Sequence, residues 1–575
     1  MKLNIKMAYA VAYVLQQKHK AKIAAIGENE NNFYVDFDSK EIISIDSFKQ
    51  LEKEIFNFIY DRKTKVAIKQ KPKATVLACN CLKANKYLAH AVKEVTTKTI
   101  KMFVINDDFR FVNHLTNTKN LNFNEIKSFK LENVSGVYWL GKAKNKQLQR
   151  ISGYAFSSKE ELKAFEAELK DRKERDHRRL GTDLELFTFN DLAGQGAPIW
   201  LPNGAAVMFE IDDAVRKTLN SYGFKFVSTP VLGSAELYKT SGHWFHYREN
   251  MFSPLKIDKE IMVLRPMTCP HHMSVYKSKP RSYRELPFRI AEKAILHRYE
   301  ASGALIGLER VRNMQLIDTH VIIRPDQIES EIRHYYEVIM KCLKMFDIKI
   351  HRIDLSLHDP KDKAKYFDNP TMWKKAEKEL EACMKRMKMD YVKKVGEAAF
   401  YGPKIDFQMK TALGHIITMS TIQLDFLLPE RFNLQYIDKD HKVQRPILIH
   451  GGIIGTLERF MSILLESNKG VFPLWLAPVQ VQLIPVIEKH IPHCQKLAQE
   501  LLDNGIRVEV DNSDERLGKK IRNAQIKKIP YQIVVGDEEI KSGSVSYREY
   551  GKQDVTTTSM SNFIKTLKNK ISNHK

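Results

Sequence analysis

Between Leu264 and His320 an apolar run, a charged tip, a loop of small residues and a second apolar run follow one another, the order of a strand, a loop and a returning strand. Leu286 to Ile295 is apolar enough for a buried strand. Ala301-Ser302-Gly303 carries loop chemistry. Arg310 to Ile323, with Val311, Val321, Ile322 and Ile323, returns as β-rich sequence. Arg298 and Arg310 therefore flank one hairpin-like loop, which is how a chain presents forked donors to a triphosphate. Spacing alone leaves a surface hairpin with solvated charges as the commoner outcome.

The residues say more than their spacing. The stretch opens with Leu264-Arg265-Pro266-Met267-Thr268-Cys269-Pro270, continues through His297-Arg298-Tyr299-Glu300, and closes at Asp318-Thr319-His320. It resembles motif 2 of the class II aminoacyl-tRNA synthetases. Gly396-Glu397-Ala398-Ala399-Phe400-Tyr401-Gly402-Pro403-Lys404 and Trp475-Leu476-Ala477-Pro478-Val479-Gln480 narrow the resemblance to threonyl-tRNA synthetases, over nearly the whole chain. The implied fold class is α+β multidomain. It comprises an editing-like α+β domain at 1–155, a linker helix at 156–185, a catalytic domain on an antiparallel sheet at 186–475, and an α/β anticodon-binding domain at 476–575. The implied activity is ATP-dependent ligation of threonine to tRNA(Thr) by a zinc-dependent homodimer, with Mg2+ accompanying ATP.

Composition agrees with this without requiring it. A chain of 575 residues, 43% of them apolar, is long enough for three or four domains with packed cores. The net charge of +24, from 93 Lys and Arg against 69 Asp and Glu, suits a polyanionic partner or a solvated lysine-rich surface. Six cysteines are no disulfide scaffold, and the close pair Cys79 and Cys81 has no second pair to complete a metal site. Met7 to Leu15 is apolar, but polar and basic residues follow it, so a helix is expected and not a signal peptide. No run approaches membrane-spanning length, and the expected location is the cytoplasm.

In the first portion Phe33 to Phe37 reads as a strand and Phe48 to Tyr60 as an amphipathic helix. The resemblance to the family's seryl-tRNA editing domain rests on Ala25-Ile26-Gly27, Asn32 to Asp36, and Gly136 to Trp139 with Lys146 to Ile151. The match begins within the first ten residues, so the family's small preceding domain is expected to be absent. The family's H-x-x-x-H pair falls at Ile5 and Tyr9, and its C-x-x-x-H at Leu115 and Lys119, beside His114. No acid–base agent remains at those four positions, which implies a retained fold with editing lost.

Ser158 to Leu180 is expected to be one helix, started by the Ser158/Glu161 capping box, striped by Leu162, Phe165 and Leu169, and stopped at Gly181. Phe209 to Leu219 with Tyr222 to Pro230 resembles motif 1, which builds the dimer interface of the class. The resemblance then assigns the site. Cys269, His320 and His450, too far apart for any spacing rule, match three zinc ligands. Such a set leaves the metal open to the amine and hydroxyl of threonine, and valine lacks the hydroxyl. Asp318 matches the carboxylate that accepts the threonine hydroxyl. Arg298 bridges α-phosphate and carboxylate, Glu300 faces adenine, Arg310 holds the outer phosphates, and Arg459 stacks on adenine and reaches the γ-phosphate. Tyr401, Lys404 and Gln423 line the pocket, and His243 stands by the 2′-hydroxyl of the terminal tRNA adenosine.

Four positions depart from the family pattern: Leu316 and Thr418 replace glutamines, Tyr299 stands where asparagine is common, and Gly451 where an arginine follows the zinc histidine. Slower or looser activity is expected from them. Beyond 476, strand and helix alternate through Val535, which predicts a mostly parallel sheet. Glu539 and Arg548 match residues that read anticodon bases. Two other readings remain: a synthetase-like binding paralogue that has lost catalysis, favoured by Leu316 and Thr418, and a prolyl or seryl enzyme, disfavoured by the Cys-His-His set.

Overall fold

Leu3–His19 is a helix buried continuously from Ile5 to Ala12, as a segment apolar on every side must be. In the computed structural model, which describes residues 3–29, 32–61, 63–78, 85–106, 109–112, 122–142, 144–412 and 414–574, this helix centres a compact unit, Met1–Asp171. It packs on an antiparallel sheet ordered Lys22–Glu28, Phe33–Asp38, Gln147–Phe156 and Ser128–Tyr138. Phe48–Ile59 adds its stripe of Phe48, Leu51, Ile55 and Ile59 to the same core. Val66–Pro72, Thr99–Ile105 and Phe109–Val112 form a second, three-stranded sheet. Cys79 and Cys81 lie outside the described residues.

The single helix expected from Ser158 to Leu180 is two, Lys159–Arg175 and His177–Asp183. Its start is half as read: Ser158 Oγ accepts the Glu161 N–H at 3.1 Å, but the Glu161 carboxylate accepts the Ser157 N–H at 2.8 Å, one residue before the expected box. The break is at Asp176, whose carboxylate accepts the Arg178 N–H at 2.9 Å and so caps a new helix. Gly181 is therefore no terminator. It lies within the second helix, where a Cβ would stand 2.2 Å from the Phe187 ring.

The second unit, Arg172–Lys575, is built on an eight-stranded sheet. Its strands are β1 (Lys225–Phe226), β2 (Phe288–His297), β3 (Asn313–Ile323), β4 (Arg352–Leu357), β5 (Val392–Val395), β6 (Lys404–Lys410), β7 (Ile416–Asp425) and β8 (Ile447–Thr456). They lie in the order β1-β2-β3-β8-β7-β6-β4-β5. Only the edge pairs β1/β2 and β4/β5 are parallel. The helices Pro202–Ser221, Ile328–Met345 and Leu457–Ser467 share one apolar core with it. β3 starts at Asn313, so Arg310 stays in the loop, which closes where Arg298 N–H donates to the Arg312 carbonyl at 2.9 Å.

A separate apolar core forms beyond Leu474. The expected parallel sheet is mixed: Val508–Val510, Val481–Pro485 and Tyr531–Val535 run parallel, and the hairpin Ser544–Glu549/Val555–Ser559 adds two antiparallel strands. The reversal comes between Val535 and Ser544, where the short helix Asp537–Ser542 ends at Gly543 with φ +62° and no full crossover returns the chain, and a turn through Gly551 at φ +74° then adds the last strand. Among the described residues, no helix is long and apolar enough to cross a membrane.

Candidate active site

Register assembles the site. Ile290, His320, His450, Gln423 and Lys404 stand opposite one another on β2, β3, β8, β7 and β6. Directly opposed residues share a face. Asp318, two residues before His320, shares it too. Cys269 arrives from elsewhere, as the first residue of the helix Cys269–Lys277.

Donor atoms of Cys269, His320 and His450 all lie within 4.8 Å of one another, and all three residues are buried. Their outer partners fix the tautomers. Burial alone would raise the Glu292 carboxyl, but hydrogen bonds from His272 and Thr229 and the Arg265 charge bring it down to about 2. Ionised Glu292 accepts from His272 Nε2 at 3.0 Å, which leaves a lone pair on His272 Nδ1. That lone pair faces His320 Nδ1 at 2.8 Å, so Nδ1 of His320 carries the proton and Nε2 is bare. From the other side, Asp425 accepts from His450 Nε2 at 2.9 Å, which leaves His450 Nδ1 bare. The two bare nitrogens face each other at 2.9 Å.

Opposed lone pairs with no hydrogen between them repel, so the arrangement calls for a cation. A proton is a poor occupant, because burial holds His320 well below its ordinary range. Burial pushes the Cys269 thiol well up, so its thiolate needs a cation beside it. A thiolate with two neutral imidazoles suits a borderline-soft ion such as Zn2+ and leaves a fourth position open. His177, Glu309 and Glu466 form a second cluster of similar compactness. Similar accounting rejects it: Leu308 N–H occupies Nε2 of His177 at 3.1 Å, and Nδ1–H donates to Glu466 at 2.7 Å.

Tyr401 stacks on His450 with ring centroids 4.8 Å apart, and its hydroxyl donates to Gln423 at 2.7 Å. Thr268 Oγ1 donates to Asp318, which burial raises. Lys404 pairs with Asp406 at 2.9 Å. His243 is fully buried, with Ser241 Oγ 2.7 Å from Nδ1 and the Cys269 sulfur 3.8 Å from Nε2, and burial lowers its pKa to about 3.

Arg298 reaches the Pro266 carbonyl with Nε at 3.2 Å. Its charge acts on Asp318, Cys269 and Tyr401 on one side and on Arg459 on the other. Arg459 bonds the carbonyls of Glu309 and Thr418, each at 3.1 Å. Burial, then Arg298 and Arg310, lowers its pKa. Three guanidinium groups gathered this way form a site for a polyanion. Glu300 is half-buried, and its carbonyl accepts from Arg312 Nε at 2.9 Å.

The departures have local partners. Leu316 packs on Ala294, Leu296, Val311 and Met314. Thr418 donates to Gln408 at 3.2 Å. Tyr299 lies beneath the Arg312 guanidinium. A Cβ at Gly451 would stand 2.1 Å from the Tyr335 ring, so an arginine has no room there. Away from the cleft, Glu539 caps its own helix through the Gly536 N–H at 3.0 Å, and Arg548 Nε is buried without a hydrogen-bond partner among the described residues. Ile5 and Tyr9 are core residues of the first helix, and Leu115, Lys119 and His114 lie outside the described residues.

Sequence reasoning missed His272, Glu292 and Asp425. His272 had a signal, since it follows Cys269 by three residues, near one helical turn. Glu292 and Asp425 had none, because only strand register brings them to the cluster.

Comparison with known proteins follows the same lines. Residues 252–468 match the tRNA synthetase class II core domain (G, H, P, S and T), and 480–570 the anticodon binding domain. The threonine–tRNA ligase of Ureaplasma parvum serovar 3 is 48% identical over 99% of this chain and 98% of its own. That of Staphylococcus aureus strain JH9 is 47% identical over 94% of this chain and 84% of its own. The RNA binding domain of threonyl-tRNA synthetase from Cryptosporidium parvum Iowa II has a TM-score of 0.65 at 35% identity, covering 68% of this chain and 98% of that one.

Proposed function

The chain belongs to the threonine–tRNA ligases, class II synthetases that join threonine to tRNA using ATP, and from that premise we propose a division of work among its residues. Domains at 1–155, 186–475 and 476–575, joined by a two-helix linker at 156–185, carry tRNA contact, catalysis and anticodon reading. Zn2+ held by Cys269, His320 and His450 would supply a Lewis-acid position open to the amine and hydroxyl of threonine, with Mg2+ accompanying ATP. The single observation that supports this most is the 2.9 Å approach of His320 Nε2 and His450 Nδ1 beside the Cys269 sulfur.

Asp318 accepts the substrate hydroxyl in this scheme, and Tyr401 with Gln423 lines the amine. Arg298 stands between the amino-acid pocket and the phosphates, positioned to hold the threonine carboxylate against the α-phosphate. Arg310 neutralises the outer phosphates and Arg459 the γ-phosphate, while Glu300 faces adenine and Lys404 a phosphate. The work is positioning and charge neutralisation, since the carboxylate is already a competent nucleophile. His243 serves the terminal adenosine, and Glu539 and Arg548 read the anticodon. The motif 1-like helix leaves Phe209 65% exposed, which supports a homodimer. The proposed location is the cytoplasm.

Purified protein carrying zinc is expected to exchange pyrophosphate into ATP only when threonine is present. Absence of exchange with zinc bound would favour the binding paralogue. We also propose that the chain does not edit. Serine keeps both groups the metal engages and lacks a methyl, so selection against it is worth only about 1–3 kcal/mol, or roughly 10–200-fold. Seryl-tRNA(Thr) made by this enzyme is expected to persist at the uncatalysed rate, and rapid deacylation by the pure protein would refute the reading.

A further inference from the structure

We infer that His177 is a positioning residue for the arginines that meet the triphosphate, an inference that rests on the roles proposed for Arg310 and Arg459. His177 opens the helix His177–Asp183, and its imidazole is fully buried. It joins three stretches of chain. Nε2 accepts the Leu308 N–H at 3.1 Å, and Leu308 lies in the tight turn whose ends, Ile306 and Arg310, bond each other. Nδ1–H donates to one oxygen of Glu466 at 2.7 Å, and the other oxygen accepts the Ala412 N–H at 2.8 Å. Glu466 is near the end of the helix that Leu457, Glu458 and Arg459 begin. The carbonyl of Glu309, in the Leu308 turn, accepts from Arg459 at 3.1 Å. One ring thus ties the turn bearing Arg310 to the far end of the helix bearing Arg459.

The fit is close. Gly307 has φ +44°, and a Cβ there would stand 2.3 Å from His177 Nε2. The choice of histidine has a reason. One nitrogen must accept the Leu308 N–H while the other donates to the Glu466 carboxylate. A neutral imidazole donates on one side and accepts on the other. A lysine or arginine could not accept the Leu308 N–H.

The test is ATP–pyrophosphate exchange by the full chain carrying His177→Asn, His177→Gln or Arg310→Ala. Thermal stability and affinity for threonyl-sulfamoyl-adenosine, which lacks the outer phosphates, are read on the same samples. An asparagine amide reaches about as far as Nδ1 and releases Leu308, whereas a glutamine amide reaches about as far as Nε2 and restores the acceptor. His177→Asn is expected to raise the KM for ATP about tenfold, because small misplacements of positioned groups are costly. The KM for threonine and the affinity for the adenylate analogue should stay within about twofold. His177→Gln should recover most of the loss. A defect spread equally over ATP, threonine and the analogue would overturn the inference. An effect in Arg310→Ala with none in His177→Asn would overturn the positioning role alone, and no effect in Arg310→Ala would overturn the Arg310 assignment and the inference with it. If His177→Asn does not fold, Glu466→Gln breaks the same link from its other end and is judged by the same outcomes.

Discussion

Arg298→Ala is expected to lower the rate of threonyl-adenylate formation by about 10³-fold or more, the scale at which an arginine facing a transferring phosphoryl group acts. The reason is place as well as charge. The charge of Arg298 reaches both the ligand cluster, through Asp318 and Cys269, and the phosphate side, through Arg459. Its loss should fall on kcat, because the carboxylate and the α-phosphate are brought together only as the bond forms. Arg310→Ala should instead act mainly through the KM for ATP. Arg298→Lys keeps the charge but not the two-pronged donor geometry, and should recover only part of the rate. Single-turnover measurement at saturating ATP and threonine separates these effects. A loss smaller than about tenfold would place Arg298 outside the reacting centre.

What the chain disclosed before folding, and what it withheld, divides along a physical line. Phe288–His297 was legible because apolar continuity is a local property, and Phe48–Ile59 because its buried residues recur at helical spacing. The eight-stranded order was not legible from any period. It depends on which strands find each other, and His320 meets His450 only through that pairing. Resemblance supplied the three ligands where spacing could not. The break at Asp176 was missed because good helix formers, Arg172 to Arg175 and Arg178 to Leu180, flank it on both sides, while a single carboxylate accepting the Arg178 N–H decides the matter. His177 was passed over for the same reason, since its worth lies in Leu308 and Glu466, far along the chain. Gly451 read as a loss of a polar contact, but the nearby Tyr335 ring makes it a steric necessity.

His272→Ala is expected to weaken zinc binding about 10–100-fold, although His272 is no ligand, which is the usual cost of removing an outer partner. Alanine takes away the acceptor for the His320 Nδ1 proton. The ring of His320 then loses both its fixed tautomer and its fixed orientation, and Nε2 is no longer held toward His450 as a bare donor. Glu292→Gln should act in the same direction by a different route. An amide can turn its nitrogen toward His272, which favours the wrong tautomer and passes the error on to His320. The control is His271→Ala, which removes the adjacent imidazole, whose Nδ1 has no hydrogen-bond partner among the described residues, and leaves the relay untouched. Zinc affinity measured by competition with a chromophoric chelator reads these variants without recourse to activity. Equal zinc affinity in His272→Ala and His271→Ala would mean that the two histidine ligands find their geometry unaided, and the tautomer argument for the metal would lose its support.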